Sequence, residues 1–268
     1  MSSRRAFSQM LLANAFGRWL YAREHPASPR GTNTTCVFIG LNNNQEGRLA
    51  IGALVCTQFL THQRSIHNLR QQYRYHSRLL YRSTDKFRIP FVDALIDYFV
   101  REKDLAFVAH LFSGYDRPDF EQPVSLEQRL LRQHFAAVLK HTLTRHKITA
   151  SEPVVIHFRG LGAGRVDNLE LVRHLRSEIP KSQVFSDTWN RQLGYQIGKA
   201  GHRWPAPNNL AQLGGFLCGS VAALSHPPED KSKLHLLQAL TTKLGGGKEP
   251  SAASFRNNLK FTLLERTY

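Results

Sequence analysis

CVFIGLNNNQEGRLAIGALVCTQF, residues Cys36 to Phe59, decides the fold. Cys36–Gly40 is a short apolar run of the kind that forms a buried strand. Leu41–Gly47 is turn chemistry, rich in Asn and Gly. Arg48–Phe59 is a second apolar run with small and β-branched residues. Two such runs joined by Asn/Gly residues predict an antiparallel hairpin.

Downstream, the pattern changes period. Residues 61–82 are polar and helical. Over 86–102, Ile89, Val92, Leu95, Ile96, Phe99 and Val100 recur at helical spacing and predict an amphipathic helix. Leu105–Phe112 reads as a third strand, and SGYDRPDFEQP after it as a loop. Ser125 stands where a helix N-cap would, ahead of Leu126, Leu130, Leu131, Phe135, Val138, Leu139 and Leu143. Pro153–Phe158 predicts a fourth strand, Val166–Arg176 a helix and Gln183–Asp187 a fifth strand. Asn208–Leu224 is an apolar helix of small residues. Lys231–Leu244 is a further helix, stopped at Gly245-Gly246-Gly247. Strands alternating with helices in this order imply an α/β fold, a mixed β-sheet flanked by helices. No composition shift marks a second domain within 32–268.

Upstream lies a basic arm and linker, residues 1–31. Residues 1–23 carry four arginines and no acid, with Leu11, Leu12, Phe16, Trp19 and Leu20 at helical spacing. The composition is similar to that of a mitochondrial transit peptide. The expectation is nevertheless a helical arm that docks on this chain or a neighbour. Pro26–Thr35 reads as a linker.

The chain is strongly basic. Lys and Arg number 36 against 20 acids, giving a formal charge of +16 and a pI of about 10.2. Such a balance points to an acidic partner, nucleic acid first. The three cysteines, Cys36, Cys56 and Cys218, are far apart in sequence and form no C-x-x-C pair, which argues against a disulfide framework or a structural zinc site. Buried thiols in a reducing compartment follow. No run approaches the roughly 20 apolar residues that cross a bilayer. The expected location is the cytoplasm, with mitochondria as the alternative.

The charge is unevenly placed. No acid lies between Glu46 and Asp85, a span that holds Arg48, Arg64, Arg70, Arg74, Arg78 and Arg82. On a helix, a step of four advances about 40° past a full turn. The last four arginines would therefore share one face, suited to phosphate oxygens. Tyr73, Tyr75 and Tyr81 interleave with them, and Tyr73 or Tyr81 would stack on unpaired bases. A second acid-free span, Thr188–Pro228, contributes Arg191, Lys199 and Arg203.

Catalytic motifs are missing. Gly160, Gly162 and Gly164 in RGLGAGR give neither a P-loop nor a dinucleotide fingerprint. The 13 histidines show no metal-binding spacing. No nucleophile elbow occurs. Asp93 and Asp97 read as the wet face of a helix.

One family pattern does fit the segment order. Leu210-Ala211-Gln212-Leu213-Gly214-Gly215-Phe216-Leu217-Cys218-Gly219-Ser220-Val221, followed by Lys231-Ser232-Lys233-Leu234, occupies the place of a Leu-Gln-x-Ala-Asp-Leu-x-x-Gly-Ala helix and a Lys-Leu-rich helix. Phe38-Ile39-Gly40-Leu41-Asn42 falls where an Ile-Asp-Glu-Ser-Gly strand begins. Arg78-Leu79-Leu80-Tyr81 and Ser83-Thr84-Asp85-Lys86 fall at a Glu-Leu-His/Lys motif and a serine-rich turn. Over about 36–245 the chain thus resembles the domain-of-unknown-function family numbered 3800, whose members have an RNase H-like fold and are regarded as metal-dependent nucleases. The resemblance implies a carboxylate cluster holding two metal ions. Its positions are occupied here by Gly40, Arg78, His157 and Gly215 (or Gly214), none of which is a carboxylate.

The expectation is a non-catalytic, RNase H-like domain that binds RNA or DNA within a larger nucleoprotein complex, without cofactor or metal. The expected phosphate and base contacts are Arg48, Arg64, Arg70, Tyr73, Arg74, Arg78, Tyr81, Arg82, Arg191, Lys199 and Arg203. One alternative is an active nuclease using Mg²⁺ or Mn²⁺ at a displaced site with Glu46, Asp85 or Asp187. Another is a structural adaptor for acidic protein partners.

Overall fold

The hairpin forms as the alternation of side chains requires. Strand β1 (Thr35–Asn43) pairs antiparallel with β2 (Leu49–Cys56), setting Cys36 opposite Cys56, Phe38 opposite Leu54 and Gly40 opposite Gly52. Every residue of β2 is buried, so both faces of the sheet are covered. The computed structural model describes residues 35–43, 49–75, 79, 81, 86–113, 124–148, 154–158, 168–179, 182–186, 209–224, 228–245, 255 and 258–267. These residues belong to one unit built from Thr34–Asp187 and Ala206–Tyr268. The basic arm and linker of residues 1–31 lie outside them.

Helices α1 (Phe59–Gln72) and α2 (Ile89–Arg101) follow β2, then β3 (Ala106–Ser113), α3 (Val124–Arg145), β4 (Val154–Phe158), α4 (Asn168–Glu178), β5 (Ser182–Ser186), α5 (Asn209–Leu224), α6 (Lys231–Gly245) and β6 (Phe261–Thr267). The strands form one sheet in the order β5-β4-β1-β2-β3-β6. Only β2 runs against the others. The α/β fold with a mixed, helix-flanked sheet is as the sequence implies, and the arrangement is compatible with an RNase H-like fold. The sixth strand has no counterpart among the sequence expectations. Its FTLLERT has no clean two-residue alternation, because Phe261, Thr262 and Leu263 are all buried against β3 and the helices.

Odd and even positions build two cores. On one face Phe38, Leu54, Phe107, Ala109 and Phe261 meet α5, which carries α1, α2 and α6 around it. On the other, Ile39, Ile51, Ala53 and Ile156 pack against Phe135, Val138 and Leu139 of α3 and Leu171 and Leu175 of α4. Helix α5 is apolar nearly all round, as a helix enclosed on all sides must be. It lies very close to the β1–β2 hairpin. A Cβ at Gly52 would sit 2.8 Å from Cys218 Sγ, and one at Gly40 would sit 3.0 Å from the same sulfur. The two glycines, opposite one another in register, make that approach possible.

All three cysteines are buried, and two of them are neighbours: Cys36 faces Cys56 across the hairpin, a proximity their separation in sequence conceals.

Candidate nucleic-acid interface

Five parallel strands end at one edge of the sheet, the edge at which open α/β sheets place ligands. Gly40 and His157 lie on β1 and β4 near that edge, and these strands lead on in opposite directions, to β2 and to β5. Of the positions at which the family resemblance would put carboxylates, Gly40 and Gly215 come close together and His157 lies beside Phe38, while Arg78 lies outside the described residues. A Cβ on Gly40 would meet Gly214 O and Gly215 Cα, each at 3.1 Å. His157 pairs with Phe38, and its ring stacks on that of Phe38 at 4.8 Å. The residues do not fit a two-metal site. Gly40, Gly215 and His157 offer no carboxylate oxygen, and α5 occupies the space into which a side chain at position 40 would extend.

The arginine stripe does not form as expected. Helix α1 ends at Gln72 rather than continuing to 82. Arg74 follows with φ 49°, in the left-handed region. Arg74 N donates to Gln71 O at 3.1 Å and Tyr75 N to Arg70 O at 2.8 Å, the hydrogen bonds of a Schellman C-cap. The cause lies in the core: Tyr75 is buried and its ring stacks on Phe91 at 4.2 Å.

Arg70 is accordingly no phosphate ligand. It is 4% exposed. Its Nε donates to Asn209 Oδ1 and its Nη2 to Gln212 Oε1, each at 2.8 Å, and its guanidinium lies over the rings of Tyr75 and Phe91. Burial lowers its pKa from the ordinary arginine value, while Tyr75 opposes that shift. Tyr81 is no stacking platform either. It is buried, its hydroxyl donates to Lys233 O at 3.4 Å and its ring packs edge-on against Phe216. Arg64 and Arg74 are exposed, as is Tyr73 at 38%. Arg48, Arg78, Arg82, Arg191, Lys199 and Arg203 lie outside the described residues, as do Glu46, Asp85 and Asp187 of the displaced metal site.

A different group gathers where α1 ends and α2 begins. Tyr73 stands edge-on to Phe91 at 6.4 Å, and the Arg88 guanidinium lies 5.9 Å from the Tyr75 ring centroid. Next to Arg88, Phe87 is 83% exposed with the Lys86 ammonium 5.1 Å from its ring centroid. Two accessible rings, Tyr73 and Phe87, thus stand at this junction, with Lys86 over Phe87 and with Arg74 and Arg88 each next to one of them in sequence. The sequence signal is Lys86-Phe87-Arg88, a cation–aromatic–cation tripeptide before an amphipathic helix. The regular arginine spacing masks it by suggesting a longer helix.

Several described acids are engaged elsewhere. Asp93 pairs with His235 at 3.1 Å and Asp97 with Lys243, joining α2 to α6 rather than forming a purely wet face. Glu178 pairs with Lys140 between α4 and α3. No model of a known family matches the chain, and no curated protein does. Among the described residues, no helix is long and apolar enough to cross a membrane.

Proposed function

We propose that this chain is a non-catalytic nucleic-acid-binding domain that grips unpaired segments of RNA or DNA at the junction of α1 and α2. The observation that carries this reading is the two exposed rings, Tyr73 at the end of α1 and Phe87 before α2, with Lys86 over the second and the exposed Arg74 and half-buried Arg88 next to them in sequence. Rings stack on bases of any sequence, and the cations hold the strand's phosphates. Arg64 lies on the same helix as the start of this surface, and the net charge of +16 favours the encounter. The resemblance to the nuclease family is part of the proposal. It accounts for an RNase H-like scaffold whose carboxylate positions have become Gly40, His157 and Gly215. Arg48, Arg78, Arg82, Arg191, Lys199 and Arg203 would extend the phosphate track. A place in a larger nucleoprotein complex, within a reducing compartment such as the cytoplasm, completes the reading.

Fluorescence anisotropy tests it, with labelled single- and double-stranded RNA and DNA titrated at several salt concentrations. Single strands should bind more tightly than duplexes. Tyr73→Ala and Phe87→Ala should each weaken binding about tenfold, the equivalent of one stacked base. Replacing Arg74, Lys86 and Arg88 together by Ala should reduce the salt slope by about 2, at roughly 0.7 per phosphate on a single strand. Variants that bind single strands like the wild type would remove this surface from the proposal. Weak binding to every ligand would favour the adaptor for acidic proteins.

A further inference from the structure

Away from this surface, towards the start of α1, a mixed nitrogen and oxygen donor set is already assembled. His62, Glu102 and Asp104 each offer one ligand atom, and these atoms all lie within 4.8 Å of one another. His62 belongs to the first turns of α1. Glu102 and Asp104 belong to the turn between α2 and β3. The imidazole is 1% exposed and fixed in direction. Its Nδ1 is 2.6 Å from the Tyr98 hydroxyl, the two rings meet edge-on, and its Nε2 points at Asp104 Oδ2 from 2.8 Å. The Thr57 hydroxyl donates to that same carboxylate oxygen at 3.3 Å. Both carboxylates retain access to solvent, Glu102 with 32% and Asp104 with 23% of the side chain exposed.

We propose that His62, Glu102 and Asp104 form a binding site for a divalent first-row transition-metal ion. His62 and Asp104 already stand at the spacing of two neighbouring ligands, with Glu102 near enough to close on the same ion. Metal–ligand bonds of about 2.1 Å at a right angle separate two donor atoms by about 3.0 Å, close to the distance between His62 Nε2 and Asp104 Oδ2. A tetrahedral angle would require about 3.4 Å on the same bonds. The site therefore suits ions that accept octahedral coordination, with water completing the shell. Imidazole beside carboxylates favours first-row transition ions over the hard ions that prefer oxygen alone, and among them Mn²⁺ and Co²⁺ accept an octahedral shell more readily than Zn²⁺.

The outer shell is equally apt. A metal-bound histidine needs its other ring nitrogen held by a partner. Tyr98 can both donate and accept. With the ring proton on Nε2, the Tyr98 hydroxyl donates to Nδ1 and Nε2–H donates to Asp104. With metal, the ring proton resides on Nδ1 and is donated to Tyr98, while the Nε2 lone pair binds the ion. The exchange needs a shift of the ring proton and a turn of the Tyr98 hydroxyl, while the imidazole stays in place. Lys260 is the competing cation: its Nζ donates to the main-chain oxygen of Glu102, and it lies close enough to feel both carboxylates. This site lies about 16 Å along α1 from Tyr73, and it does not depend on the nucleic-acid reading.

The test is a competition titration of the chelator-treated full chain against a chromophoric chelator with Mn²⁺, Co²⁺ and Zn²⁺. The Co²⁺ absorption spectrum serves as a direct report of inner-sphere nitrogen. The wild type should bind one ion tightly enough to compete. His62→Ala and Asp104→Asn should weaken that binding at least tenfold and abolish the Co²⁺ bands, whereas His67→Ala, on the exposed side of the same helix, should change neither. Should loss of the buried imidazole unfold the chain, Glu102→Gln and Lys260→Met decide instead. The first should weaken binding several-fold, and the second should tighten it. Binding equal in wild type and Asp104→Asn, or no competition by the wild type, would overturn the proposal.

Discussion

Arg70 Nε donates to Asn209 Oδ1 at 2.8 Å, tying the last turn of α1 to the first residue of α5 across 139 positions of sequence. Gln212 Oε1 receives Arg70 Nη2 and the main-chain N–H of Leu79, each at 2.8 Å, while Asn209 N donates to Gln63 Oε1 at 2.7 Å. Arg70 and Asn209 are buried and the two glutamines half-buried, so the first pair is costly to leave unpaired. Arg70→Ala should therefore reduce folding stability by about 3 kcal/mol, the scale of removing charge-assisted hydrogen bonds together with a cation–π interaction. Arg70→Lys should recover only part of this, because an ammonium cannot span both amides. Urea denaturation measures the change. A variant as stable as the wild type, yet defective with nucleic acid, would return Arg70 to the phosphate-binding set.

The close approach of α5 to the hairpin predicts opposite outcomes for neighbouring glycines. At Gly52 an added Cβ would meet Phe107 Cζ at 2.3 Å, and at Gly219 it would meet Tyr81 Cβ at 2.5 Å. Alanine at either position should destabilise by about 1–3 kcal/mol, the range for an overpacked core. At Gly215 nothing lies within 4 Å of the added carbon, and a helical Gly→Ala exchange contributes about 0.5–1 kcal/mol. Gly215→Ala should thus be the stabilising member of the set. Thermal midpoints of the three variants give the comparison.

These packing relationships also explain what the sequence can and cannot convey. The hairpin, α2 and the α/β class follow from periodicity, because Phe38, Leu54, Val92 and Leu95 repeat at the spacing of their elements. Arg70 and Arg74 look alike in sequence. One is enclosed and the other exposed because Tyr75 packs on Phe91 and ends the helix between them, and that packing carries no local signal. The donor set at His62 is invisible in sequence for a related reason. Its acids come from a turn 40 residues or more away, so no spacing motif links them. Nothing local in the sequence links Gly40 to Gly215, and they come together only because α5 docks on β1.

Arg74 carries a further consequence. Its φ of 49° belongs to the conformation that glycine adopts without strain. Arg74→Gly should raise folding stability by up to about 1 kcal/mol, while weakening single-stranded nucleic-acid binding because one phosphate loses its cation. Lys147, with φ 54° at the corresponding position after α3, supplies the control. There, Ile148 N donates to Leu143 O at 2.9 Å in the same capping pattern. Lys147→Gly should stabilise equally and leave binding at the α1–α2 junction unaltered. Equal loss of affinity in both variants would mean that Arg74 acts only through overall charge.

Acid should loosen the face of the sheet covered by α3. His134 is held below the ordinary histidine value by burial. His146 is held below it by burial and then by the charges of Arg145 and His141, and its Nε2 is buried with no hydrogen-bond partner among the described residues. A histidine whose folded pKa is depressed binds fewer protons in the folded than in the unfolded chain. Its contribution to stability is complete above the unfolded value of about 6.5 and is lost as pH falls through the lower, folded value. Denaturant midpoints should therefore decline from about pH 7.5 to about pH 5.5. His146→Gln, which takes up no proton in this range, should flatten part of that decline. His67→Ala, with its ring exposed on α1, should leave it unchanged. A decline of the same steepness in His146→Gln would place the acid-sensitive group elsewhere. The His110–His141 pair, with Nε2 and Nδ1 3.1 Å apart beneath the same helix, would be the next position to test.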